Sequence, residues 1–89
     1  DCASVMIGGE TLSSDVLIER VGLARAEHEN LRDGVPFGER NEEWENLKSA
    51  IEPGDNIWFY RDNRTITGAE GYVVVRDCEV VAFFMTTKY

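Results

Sequence analysis

Histidine occurs once and cysteine twice in this chain of 89 residues, and nine basic residues face 17 acidic ones. Each shortage excludes something. A lone His28 and two distant cysteines, Cys2 and Cys78, with no Cys-x-x-Cys pair, do not make a metal site. A formal charge of −8 repels a duplex or an anionic membrane surface, because nucleic-acid binders need a basic footprint. No apolar run approaches the ~20 residues that a membrane helix requires. Neither nucleic acid nor membrane is therefore an expected partner. The calcium-loop spacing of the EF-hand is missing. Gly68-Ala69-Glu70-Gly71 precedes a strand, whereas a phosphate-cradling loop runs from strand to helix. Those glycines suit turn geometry or a bulge. No cofactor is expected.

Internal repeats and low-complexity tracts are absent too. The chain begins at Asp1 with no initiator Met, which reads as a processed product or a trimmed chain. Three readings of the cysteines stay open: one Cys2–Cys78 disulfide in an oxidising compartment, a reactive thiol, or chance. With the missing Met, they lean toward an exported or periplasmic protein.

What is present is ordered toward the C-terminus. Asp55-Asn56-Ile57-Trp58-Phe59-Tyr60-Arg61, Gly71-Tyr72-Val73-Val74-Val75-Arg76 and Val80-Val81-Ala82-Phe83-Phe84-Met85 read as three strands. They are apolar at nearly every position, so both faces of the sheet need cover. Alternation puts Ile57 and Phe59 opposite Trp58 and Tyr60, and Tyr72 and Val74 opposite Val73 and Val75. In the third run, Val80, Ala82 and Phe84 oppose Val81, Phe83 and Met85. Arg76-Asp77-Cys78-Glu79 reads as a tight hairpin turn. Its central positions need positive φ, which strains Cys78 unless the turn is of another type. Residues 62–70 form a longer link, with Ile66 turned inward.

Upstream, residues 3–8 suit a short strand ended by Gly8-Gly9. Residues 14–32 suit a helix capped by Ser14, with Leu17, Val21, Ala24, His28 and Leu31 on one stripe. Gly22 either marks close packing or divides that helix, leaving 15–21 as one piece. Residues 41–51 suit a second helix, capped by Asn41, with Trp44, Leu47 and Ile51 buried. Pro53-Gly54-Asp55 ends it.

The residues therefore predict a single domain over 1–89 of the α+β class: two helices packed on an antiparallel three- to four-stranded meander. Two short helices cover one face. The other face is closed within the chain or by a second copy, which makes Trp58, Tyr60, Tyr72 and Phe84 the candidate interface.

No catalytic constellation stands out. His28 would need Cys78 and a carboxylate within reach to act in nucleophilic catalysis. Glu42, Glu43 and Glu45 fan around a helix start, and with Glu52 they offer an acidic patch for a basic partner. Trp58, Tyr60 and Tyr72, with Arg61 and Arg64 nearby, resemble a stacking platform locally, which the net charge opposes.

Leu47-Lys48, Pro53-Gly54-Asp55-Asn56-Ile57-Trp58-Phe59-Tyr60 and Gly68-Ala69-Glu70-Gly71-Tyr72-Val73-Val74-Val75-Arg76-Asp77 together resemble a family of small uncharacterised bacterial proteins. Cys78 departs from the glycine that the pattern has there. The resemblance covers about two fifths of the chain. It implies a bacterial origin and the meander, and no activity. The function expected is a small non-enzymatic binding or interaction module that self-associates through its sheet or meets a protein partner. The alternatives are an acidic inhibitor or immunity-type protein that blocks a basic partner, and a small hydrolase-like enzyme using His28.

Overall fold

The structure, a computed structural model, describes residues 2–7, 9–62 and 69–88. Gly8, Arg64, Ile66 and Gly68 lie outside the described residues, and with them most of the 62–70 link. Eight strands and two helices run in the order β1 (Ser4–Ile7), β2 (Glu10–Ser13), β3 (Leu17–Val21), α1 (Leu23–Glu29), β4 (Leu31–Arg32), β5 (Val35–Pro36), α2 (Asn41–Ser49), β6 (Asn56–Asp62), β7 (Ala69–Arg76) and β8 (Glu79–Lys88).

The class is α+β with two helices, but the expected three- to four-stranded antiparallel meander is replaced by a larger object. Six strands form one curled, half-barrel sheet in the order β2-β1-β8-β7-β6-β3, and β4 and β5 form a separate hairpin. The sheet is mixed. β6, β7 and β8 pair antiparallel, whereas β1 meets β8 in parallel through Met6 and Glu79. The Met6 N–H donates to the Cys78 carbonyl at 3.1 Å.

The largest correction concerns residues 14–32. Residues 14–16 form one 3₁₀ turn, 17–21 pair with β6, and the helix occupies only Leu23–Glu29. β6 is apolar on both faces and has a second edge to satisfy. Leu-Ile-Glu-Arg-Val, with two β-branched residues, meets that demand, and tertiary pairing overrides helical spacing. A bulge between Leu17 and Glu19 turns Leu17 to one face and Val21 to the other. Gly22, with extended backbone, starts α1. The expected stripe does not form: Ala24, His28 and Leu31 are exposed, and Ala26 is the buried residue. In α2, Trp44 and Leu47 are buried as their spacing implies. Asn41 is the first helical residue rather than the cap, and its Nδ2 donates to the Pro36 carbonyl.

Two apolar cores lie on opposite sides of the sheet. Ala26, Trp44, Leu47, Ile57, Tyr72, Val74 and Phe84 fill the side covered by the helices. Val5, Leu12, Val16, Tyr60, Val73 and Val75 fill the other side, inside the curl. The face expected to be closed within the chain or by a second copy is filled by β1, β2 and the turn Ser14–Val16. That turn ties together the two edge strands β2 and β3. A second bulge, between Val74 and Val75 in the register against β8, breaks the expected alternation. Val80 packs into the inner core, while Ala82 and Phe84 pack under the helices. A third bulge, at Glu70/Gly71, depends on glycine, because a Cβ at Gly71 would collide with the Phe84 carbonyl oxygen.

Cys2 and Cys78 form a disulfide with Cα atoms 5.6 Å apart. It staples the N-terminal hairpin to the β7–β8 turn, where Asp77 and Cys78 both hold positive φ, 51° and 64°. A disulfide of this kind is consistent with an oxidising, extracytoplasmic type of environment. Among the described residues no helix is long and apolar enough to cross a membrane.

The Pro53-Gly54-Asp55 turn and the Val-Arg-Asp end of β7 meet directly. Arg76 donates through Nε and Nη2 to the two Asp55 carboxylate oxygens at 2.8 and 2.7 Å. Asp55 also accepts the Glu52 N–H. The Arg76 guanidinium, with that backbone N–H, holds the Asp55 carboxyl down to about 2. This fork ties the turn after α2 to the end of β7.

Candidate functional site

The four residues predicted as an interface do not form a surface. Tyr60, Tyr72 and Phe84 are buried and Trp58 is half-buried. Trp58 and Tyr60 belong to the inner core, whereas Tyr72 and Phe84 lie on the opposite face under the helices. His28 is exposed on α1, and Cys78 is bonded to Cys2, so the pair offers no thiolate. Glu42, Glu43, Glu45 and Glu52 are all exposed. Three of them already hold a cation: Glu43 with Arg40, Glu45 with Lys48, and Glu52 with Arg76. Among the described residues no group of three His, Cys, Asp or Glu side chains converges to hold a metal ion.

The chemistry gathers instead at a cleft of about 380 Å³ between the β4–β5 hairpin and the sheet. Its apolar floor consists of Phe37, Phe59, Tyr72 and Phe84. These rings make tilted and edge-on contacts. Phe37 lies 5.6 Å from Tyr72 and 4.9 Å from Phe84, and Phe59 lies 5.7 Å from Tyr72. Such arrangements satisfy the ring quadrupoles and hold the floor rigid.

Phe37 is the unusual member. Its φ of 61° is a left-handed conformation that a bulky side chain adopts at a cost. The surroundings over-determine it. Its N–H donates to the Asn30 carbonyl at 2.7 Å, and its ring also packs 4.6 Å from Trp44. Strain of this kind tends to persist where a site is being shaped. Trp44 is in turn fixed by Glu27, which accepts the buried indole N–H at 2.9 Å and the Lys48 ammonium at 2.6 Å. Those two donors, Lys48 first, hold the Glu27 carboxyl below its usual range.

The polar rim sorts into committed and uncommitted groups. Arg40 lies over the Phe84 ring, 4.6 Å from its centroid, and forks onto Glu43. Arg61 lies over Phe59 and pairs with Glu70 at 3.0 Å. Asn30 donates to the Ala26 carbonyl and to the Tyr72 hydroxyl oxygen. Two groups remain uncommitted. Arg32 touches only the Leu31 carbonyl, at 3.4 Å, and has no carboxylate partner among the described residues. The Tyr72 hydroxyl accepts from Asn30, while its own proton has no acceptor among them. Gly38 leaves space for the Arg32 stem, since a Cβ there would lie 2.9 Å from the Arg32 Cβ.

Sequence reasoning named Tyr72 and Phe84 as interface residues, not as the floor of a cleft, and did not single out Asn30, Arg32, Phe37 or Arg40. The available signal was an aromatic inside a Pro-Phe-Gly turn, at Pro36-Phe37-Gly38, where a large apolar side chain serves a contact rather than the turn. No family model matches the chain, and neither a curated protein nor a solved structure is found that resembles it significantly.

Proposed function

We propose that this protein is a small non-enzymatic binding module whose ligand sits in the cleft between the β4–β5 hairpin and the sheet. One observation carries the reading: a rigid aromatic floor lies beside an arginine that no carboxylate among the described residues neutralises. The cleft volume falls within the ~300–1,000 Å³ range of small-ligand sites, and a few convergent polar groups on an apolar floor are their common form. The residues around it supply recognition groups but no nucleophile paired with a base, so binding is the chemistry they favour. The disulfide supports placing the protein in an exported or periplasmic setting. The resemblance to small bacterial proteins fits a bacterial source.

The test is amide-shift NMR with three one-ring probes at millimolar concentration: benzoate, phenol and benzylammonium. Saturable shifts centred on Asn30, Phe37, Phe84 and Thr86 with any of the three support the reading. Shifts with none of them, or only at residues remote from the cleft, overturn it.

A further inference from the structure

Resting on the cleft as a ligand seat, we infer that its ligand is a small, flat monocarboxylate: one carboxylate on an aromatic or similarly planar body.

Charge at the rim points to one anionic group. Three guanidinium groups border the cleft or its floor, and two are already matched, Arg40 by Glu43 and Arg61 by Glu70. Among the described residues Arg32 is the unmatched one. A planar guanidinium presents parallel N–H donors that fit the two oxygens of a carboxylate. The Tyr72 hydroxyl supplies a further donor, since its oxygen already accepts from Asn30 and its proton is unspent.

Charge also sets an upper limit. The Glu70 carboxylate lines the same cleft, with 18% of its side chain exposed. Arg61 already offsets that carboxylate, so a phosphate dianion would set two charges against the one guanidinium left unmatched among the described residues. A monoanion meets one free cation and little residual repulsion.

The body of the ligand follows from the floor. Phe37 and Phe59 are only partly buried, so their rings offer apolar surface to a guest. The floor rings are locked by mutual edge-on contacts, which favours a flat partner over a branched one. The absence of a Cβ at Gly38 leaves room for the Arg32 stem, and Arg32 lines the cleft.

The experiment is an NMR titration of the intact, oxidised protein with benzoate, phenyl phosphate and phenol. It is repeated on Arg32→Gln, Tyr72→Phe and, as a control, Arg20→Gln. Arg20 is an exposed arginine of β3 that does not line this cleft. Benzoate is expected to bind with Kd of the order of 1 mM, as suits a ligand of this size, more tightly than phenyl phosphate or phenol. Arg32→Gln is expected to weaken benzoate by about tenfold or more, as loss of a charge-assisted pair does. Tyr72→Phe should weaken it severalfold, and Arg20→Gln should leave it unchanged.

Equal binding of phenol and benzoate, tighter binding of phenyl phosphate, or insensitivity to Arg32→Gln would each overturn the monocarboxylate assignment. If phenol or phenyl phosphate seats in the cleft while benzoate does not, the ligand class fails and the site stands. If none of the probes binds, both fail. Amide spectra of each variant show whether it remains folded. If Arg32→Gln does not fold, Arg32→Lys takes its place: it keeps the charge, loses the fork, and is expected to weaken benzoate severalfold.

Discussion

Reduction of the Cys2–Cys78 disulfide should cost this fold a large part of its stability and should release the N-terminal hairpin first. The bridge spans 76 residues of sequence. In the chain-entropy account, cross-linking a loop of that length restricts the unfolded chain by about 4.5 kcal/mol. A domain of this size has a total stability of roughly 5–13 kcal/mol, so the bridge supplies a third or more of it. The seam that the disulfide closes is otherwise slight. Among the described residues β1 meets β8 through one residue pair, Met6 with Glu79, and the Met6 N–H donates to the Cys78 carbonyl. Yet β1 and β2 deliver Val5 and Leu12 to the inner core.

The assay is urea denaturation of the oxidised and reduced protein, with hydrogen exchange on residues 4–13 and 69–76. Reduction should lower the unfolding free energy by about 3–5 kcal/mol, with protection lost over 4–13 before 69–76. A second comparison isolates the turn. Asp77 and Cys78 both hold positive φ, the geometry of a two-residue turn that prefers glycine at its second place. Once the bridge is gone, Cys2→Ser with Cys78→Gly should exceed Cys2→Ser with Cys78→Ser by about 1 kcal/mol. A reduced protein within about 1 kcal/mol of the oxidised one, with residues 4–13 still protected, would refute the reasoning, because the seam would then stand without its staple.

Glu27→Ala leaves the fully buried Trp44 indole N–H without its acceptor. It should cost about 1–3 kcal/mol by urea denaturation, with Glu27→Gln milder because an amide oxygen can still accept. Gly71→Ala drives a methyl group into the β8 backbone and should cost about 2–3 kcal/mol in the same assay. The Asp55 carboxyl is lowered from 3.8 to about 2 by the Arg76 fork and the Glu52 N–H. A group with a depressed folded value stabilises fully above its unfolded value and loses that contribution as pH falls through the folded one. Stability should therefore decline between pH 3.8 and about 2, and Asp55→Asn should flatten that decline when thermal unfolding is followed across the window.

Local pattern was enough to place strands within 55–61, 71–76 and 80–85, though not the ends that extend them to Asp62, Ala69 and Lys88, and enough for helix α2 and the turn at Pro53-Gly54. Each is encoded by neighbours in sequence: a dense apolar run, a stripe at spacings of three and four, a Pro-Gly pair. Alternation along β6 and β7 also sorted their side chains onto the correct faces, since the period of a strand needs no partner to operate. It failed along β8, where a bulge set by pairing with β7 shifts the count.

Tertiary structure decided everything that depends on residues far apart. Residues 17–21 carry a spacing compatible with a helix and become a strand because β6 has an open edge. The N-terminal strand runs parallel to β8, and Cys2 is bonded to Cys78 in the turn before it. The cleft is assembled in the same way, with Asn30 meeting Tyr72, Glu27 holding Trp44, and Gly38 leaving room for Arg32. A one-dimensional pattern records which side chains are apolar and how often they recur. Which of them close on one another is set by competition among edges and faces, and that competition is resolved only when the whole chain packs.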